Sequence, residues 1–175
     1  MKKSVPAGAF GCIALLYVAA SLTQSDAQAE SSSANAAGSC QRLLQQAGTA
    51  LGEPTARVVT AKLNPPSVAM VDPKAPPWAA NIPAMPEHCE VIGVMRERVG
   101  SDGQHYAVKF RVRLPTAWNG KFLFQGGGGT NGLLGTALGP AQPGMPTPLD
   151  QGYAVVSTDT GHDNALNNDP AKQGT

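Results

Sequence analysis

Lys121-Phe122-Leu123-Phe124-Gln125-Gly126-Gly127-Gly128-Gly129-Thr130-Asn131-Gly132 is the stretch on which the reading of this 175-residue chain turns. Three consecutive apolar residues, Phe122 to Phe124, suit a strand buried on both faces. The four glycines that follow leave main-chain N–H groups bare and able to approach a ligand. Further on, Tyr153-Ala154-Val155-Val156-Ser157 reads as a second short buried strand, which delivers Thr158-Asp159-Thr160-Gly161-His162-Asp163 at its end. A connection as long as the one between them joins parallel strands. In such sheets ligands gather at the carboxyl ends of the strands.

Working outward from there, His88 to Val99 has strand character and Gly100-Ser101-Asp102-Gly103 is a turn. From Tyr106 to Leu114 the residues alternate: Tyr106, Val108, Phe110, Val112 and Leu114 face one way, Ala107, Lys109, Arg111 and Arg113 the other. That pattern is a half-buried antiparallel strand at the side of a sheet. The class is therefore α/β, an antiparallel hairpin leading into a mostly parallel sheet. Upstream, Ser39 is placed to cap a helix across Gln41 to Leu51, with Leu43, Leu44, Ala47 and Leu51 on one face and Gly52 and Pro54 ending it. A short strand follows over Ala56 to Leu63. Frequent prolines between Asn64 and Glu87 predict an irregular surface segment.

The first residues read as an export signal: Lys2 and Lys3, an apolar run from Val5 to about Leu22, then Ala27-Gln28-Ala29 ahead of a cleavage before Glu30. Gly8, Gly11 and Ser21 interrupt the run, and no permanent membrane span is expected. The expected destination is the periplasm or the medium. Removing residues 1–29 takes away Lys2, Lys3 and Asp26 and leaves equal numbers of basic and acidic side chains, so nothing points to nucleic acid or an anionic membrane as partner. Cys40 and Cys89 survive the cut. In an oxidising compartment an even pair reads as a disulfide, closing a loop of about 50 residues worth about 4 kcal/mol; the alternative is two buried thiols. Without His-x-His spacing, no structural zinc site is expected. The segments are 1–29 signal, 30–83 helix and proline-rich stretch, and 84–175 the first part of an α/β domain.

Three readings compete for the glycine run. One is an oxyanion hole, with one main-chain N–H of the run as donor and Gly128, Thr130 and Asn131 beside the substrate. Such a donor acts on charge that develops only as the tetrahedral intermediate forms. A second is phosphate binding, since Gly127, Gly129 and Gly132 match a dinucleotide pattern; but a hairpin precedes it, no helical periodicity follows and no Gly-Lys-Ser/Thr ending is present. The third is a flexible surface loop. In the second cluster, Asp159 and His162 are too close in sequence to form a nucleophile–base–orienter chain and are read as bracing the strand ends. His88 and His105 are read as structural, Trp78 and Trp118 as packing anchors.

Five segments in order resemble the tannase and feruloyl esterase family: Pro86-Glu87-His88-Cys89-Glu90-Val91, the strand Lys109 to Pro115, Trp118-Asn119-Gly120-Lys121-Phe122, the loop Gly126 to Gly132, and Thr158-Asp159-x-Gly161-His162-Asp163-Asn164. The resemblance implies an α/β-hydrolase fold interrupted by a lid domain, with a serine–histidine–aspartate triad that cleaves esters of aromatic acids such as gallate, ferulate or terephthalate. It implies Gly129 as the oxyanion donor and a bridged Cys40–Cys89. No cofactor is implied for this segment; calcium belongs to the lid, where the family has it.

Two departures stand out. Thr160 occupies a position where many relatives have glycine. The family's Gly-Cys-Ser-x-Gly-Gly motif and any Gly-x-Ser-x-Gly are absent from the 175 residues. Neither Ser157 nor His162 is promoted to a triad role. The chain is therefore expected to be an incomplete esterase, supplying the oxyanion loop without the triad, inactive alone and with apolar faces uncovered. The rival expectation is a non-catalytic exported binding protein, or a vestigial one, that retains the first half of the fold.

Overall fold

The computed structural model describes residues 32–74, 80–128, 132–140 and 145–161. The chain divides into two units, residues 1–35 and 36–175, and the second carries everything below. The expected leader and Trp78 lie outside the described residues. Among the described residues, no helix is long and apolar enough to cross a membrane.

Seven strands form: β1 Arg57–Asn64, β2 Met70–Val71, β3 Asn81–Ile82, β4 His88–Val99, β5 His105–Pro115, β6 Phe122–Gln125 and β7 Ala154–Thr158. Five of them build one mixed sheet in the order β1-β4-β5-β7-β6. The pairs β1–β4, β4–β5 and β5–β7 are antiparallel, while β6 and β7 are parallel. β2 and β3 make a small separate ribbon inside the stretch expected to be irregular. The register explains the two faces. Ala61, Val91, Val112, Val156 and Phe124 stand side by side across five strands. The next row, pointing the other way, is Lys62, Glu90, Arg113, Val155 and Leu123.

On the first face, Cys40, Cys89 and Val91 form a core with Leu43, Val58, Phe110, Val112 and Leu114 around it. Cys40 and Cys89 are joined as a disulfide, their Cα atoms 5.6 Å apart, which fixes the entering helix to the start of β4. On the other face, Ala137, Leu138 and Leu149 from the β6–β7 connection cover Val155, with Leu123, Met85 and Tyr153 against them. This is the mixed sheet of the opening part of an α/β-hydrolase fold.

Four local expectations change. The helix runs through residue 42 and Ser39 lies within it; the stretch Gln41–Leu51 holds instead two 3₁₀ turns, Leu43–Gln45 and Gly48–Leu51. The cause is competition for backbone partners. Ala47 bridges Arg57, and the Gly48 N–H donates to Ala56 O at 2.7 Å with Gly48 in the left-handed region, so the helical ladder is diverted into the sheet edge. β5 is the central strand rather than a side strand, because β7 pairs with its far edge. β6 is an edge strand, and Phe122 and Phe124 are 63% and 56% exposed rather than buried on both faces. Trp118 is 60% exposed; it anchors its turn through an indole N–H to Lys121 O at 2.8 Å and not through packing.

Candidate active-site loop

The parallel pairing of β6 and β7 puts their carboxyl ends side by side, Gln125 opposite Ser157. The glycine run leaves from one and the Asp159–Gly161 turn from the other. They meet again where the buried Gly132 N–H donates to Asp159 O at 3.3 Å.

Asp159 is 3% exposed. Its Oδ1 accepts the N–H of Lys109 and that of Gly161, both at 2.9 Å. A buried carboxylate placed there needs donors, and Lys109, in the middle of β5, supplies one. The turn is completed by Thr160, whose φ of 59° is left-handed, and Gly161 at 81°. A β-branched residue rarely takes that conformation. The Thr160 hydroxyl donates to Asp159 O at 2.7 Å, a local bond that helps to hold it.

On the glycine side, a Cβ added at Gly126 or Gly128 meets nothing within 4 Å, and neither residue has a left-handed φ. Gly128 is exposed. Neither a turn nor packing among the described residues therefore demands glycine at these two positions. Gly129, Thr130, Asn131 and His162 lie outside the described residues.

Ser157 is 1% exposed and donates its hydroxyl to Gly135 O at 3.0 Å, the place of a structural hydroxyl. His88 is also 1% exposed. Its Nδ1 donates to Pro86 O at 2.7 Å, which leaves Nε2 as an acceptor 3.2 Å from Arg113 Nη1. Burial, followed by the Arg113 charge, pushes the His88 pKa below the usual imidazole range. Arg113 is itself pushed down by burial, against the pull of Glu90. Glu90 holds two guanidiniums at once. Arg113 Nη2 donates to it at 3.3 Å, and Arg111 Nε lies 3.0 Å away without the alignment of a hydrogen bond. Alternation along β5 placed both arginines on one face, but gave no sign that the face would be covered. Among the described residues, no cluster of three or more His, Cys, Asp or Glu side chains is disposed to hold a metal ion.

Residues 89–174 match the family described as tannase and feruloyl esterase. Over that stretch the chain belongs to the tannase and feruloyl esterase family. Two curated relatives align with it. A mono(2-hydroxyethyl) terephthalate hydrolase from Piscinibacter sakaiensis is 47% identical over 102 residues, 58% of this chain and 17% of that protein. An uncharacterized esterase from Agrobacterium fabrum is 39% identical over 79 residues, 43% of this chain and 14% of the relative. The chain thus aligns with less than a fifth of either relative's length. A solved esterase from Aspergillus oryzae superposes with a TM-score of 0.42 at 20% identity, covering 63% of this chain and 20% of the other. The glycine run and the Asp159 turn both lie inside the family segment.

Proposed function

We propose that this chain forms the opening part of an exported carboxylic ester hydrolase that cleaves esters of aromatic acids, such as a gallate, ferulate or terephthalate monoester, by a serine mechanism. The observation that carries the reading is the unforced glycine at Gly126 and Gly128, at the carboxyl end of a parallel strand. Where neither fold nor turn requires glycine, close approach of a ligand to the backbone is a reason for it, and the place of the run at the carboxyl end of a parallel strand favours that reason over a plain flexible loop. In this reading the Gly129 N–H donates to the oxyanion, and Gly128, Thr130 and Asn131 border the acyl group. Asp159 and His162 brace the strand ends beneath.

The reaction is acyl transfer. A serine adds to the ester carbonyl, a histidine takes its proton, and the alcohol leaves as the acyl-enzyme forms; water then releases the acid. The assigned residues act on one step, stabilising the charge on the carbonyl oxygen. The serine and histidine are not among the residues assigned here, so residues 30–175 alone are expected to turn over no aryl ester. Export is supported by Lys2, Lys3 and the Ala27-Gln28-Ala29 site, and by the Cys40–Cys89 disulfide, a bond of oxidising compartments. Amino-terminal sequencing of the secreted product is expected to begin at Glu30.

The test is a chimera in which residues 89–161 replace the aligned part of the terephthalate monoester hydrolase. It is expected to hydrolyse that monoester. Gly129→Pro, which removes the N–H, is expected to lower kcat by about 10² to 10³ with little change in KM. A folded chimera that binds aromatic acids without turnover would favour the non-catalytic alternative and sink the proposal.

A further inference from the structure

The glycine run begins at Gln125, and its return is tied to the same residue. Gln125 Oε1 accepts the N–H of Leu138 and the N–H of Gly139, each at 3.1 Å, and its Nε2 donates to Thr136 Oγ1 at 3.4 Å. Two main-chain donors converge on one oxygen because the intervening backbone is sharply turned. Ala137 is fully buried with φ 53° and Gly139 has φ 82°. A non-glycine residue held in the left-handed region persists only where its surroundings over-determine it. Here the surroundings are the Leu138 and Leu149 core on one side and the Gln125 amide on the other.

The returning limb is held at two further points. Gly135 O accepts from Arg111 Nη1 at 2.9 Å and from Ser157 Oγ at 3.0 Å. Gly132 N donates to Asp159 O at 3.3 Å. The limb from Gly132 to Gly139 is therefore referenced to β5, β6 and β7 together, and only Gln125 also lies in covalent sequence with Gly126.

We infer that Gln125 is a positioning residue for the glycine run: its main chain sets where the run starts and its side chain sets where the run must come back. The inference rests on reading that run as the site loop, and it assigns Gln125 no contact with substrate. A loop that carries an oxyanion donor has to be placed in advance, because a donor that reorganises during the reaction stabilises less charge. The two N–H bonds to one amide oxygen are the device that fixes its returning limb at Leu138 and Gly139.

The test is backbone ¹⁵N relaxation on the full chain, which needs no turnover. Its failure is therefore separate from failure of the esterase reading, which the chimera decides. Gln125→Leu removes the acceptor. The order parameters of Gly126–Gly128 and Gly132 are expected to fall from about 0.85, the rigid range, to below about 0.6, with the β4–β5 hairpin unchanged. Gln125→Glu keeps an oxygen facing Leu138 and Gly139 and is expected to restore rigid values. If Gln125→Leu fails to fold, Gln125→Asn, which draws the amide back by one methylene, gives the same reading. Unchanged order parameters at Gly126–Gly128 and Gly132 on loss of the acceptor overturn the inference, and so does a glutamate that fails to rescue.

Discussion

Asp159 and Lys109 are joined by two hydrogen bonds that together imitate one step of an antiparallel ladder: the Asp159 N–H donates to Lys109 O at 3.1 Å, and the Lys109 N–H donates to Asp159 Oδ1 at 2.9 Å. A side-chain oxygen thus stands where a main-chain carbonyl would be, and the main chain of β7 is freed to turn at Thr160. Asp159→Ala withdraws the acceptor from Lys109 and Gly161 and is expected to cost about 2–4 kcal/mol. Asp159→Asn keeps one oxygen and is expected to cost about 1 kcal/mol. Urea midpoints of the two variants check this; equal losses would mean that the charge, and not the acceptor geometry, matters.

Thr160 pays for its turn in backbone strain that a glycine there would not carry. Thr160→Gly is expected to raise stability by up to about 1 kcal/mol. Thr160→Val keeps the strain, loses the hydroxyl bond to Asp159 O, and is expected to lower stability by about 1 kcal/mol. Thermal unfolding of the pair against the parent chain settles the sign.

His88 gives the chain a defined response to acid. Its folded pKa lies below the unfolded value of about 6.5, so the unfolded chain takes up the proton first. The stability it contributes is fully present above that unfolded value and declines as pH falls below it towards the folded pKa. Protonated Nε2 would face the Arg113 guanidinium 3.2 Å away. An NMR titration is expected to place the His88 midpoint below about 6.5. A midpoint above it would contradict the buried neutral ring.

Two glycines provide a contrast. Gly152 has φ 84°, and a Cβ there would sit 2.8 Å from Ala117 O, whereas a Cβ at Gly128 meets open space. Gly152→Ala is expected to cost about 2 kcal/mol or more. Gly128→Ala is expected to leave stability within about 0.5 kcal/mol of the parent. A comparable loss at Gly128 would show that the fold, and not a ligand, requires glycine there.

Opening the Cys40–Cys89 bond frees a loop spanning 49 positions of sequence. Cys89→Ala or reduction is expected to lower stability by about 4 kcal/mol, which denaturation with and without reductant measures. An effect near zero would mean that β4 holds the helix without the bond.

The strands were legible where side chains alternate against a single core. β4 falls where its composition placed it, and β5 is bounded by the same turn, because Phe110, Val112 and Leu114 all face Val91 and Cys89. The rank of a strand within the sheet was not legible. The arginine face of β5 reads as a solvated edge until Glu90 and the 132–140 limb cover it, so β5 was placed at the side and proves central. The helix boundary failed for a related reason: the partners of Ala47 and Gly48 are Arg57 and Ala56, beyond the turn that was expected only to end the helix. Within the site, Asp159 could be named because a histidine beside two carboxylates, Asp159 and Asp163, follows a short apolar strand. Gln125 carried no such mark, since its partners lie 13 and 14 residues on and reach it only once the limb has folded back.

The parallel pairing of β6 and β7 also implies an order of events in assembly. β4 and β5 meet through a tight turn, held by Gly100 N–H to Gln104 O at 2.8 Å, and can zip from that point with little loop entropy to overcome. β7 must instead find β5 and β6 after the chain has run through residues 126–153, and that connection contributes its own core residues Ala137, Leu138 and Leu149. The hairpin is expected to belong to the early nucleus, and the strand ends that shape the glycine run to come last. Substitutions in the hairpin are therefore expected to act on the rate of folding, and those around Gln125 and Asp159 on the rate of unfolding. By the same order, the part of this chain closest to its proposed chemistry is expected to open first, which hydrogen exchange would show.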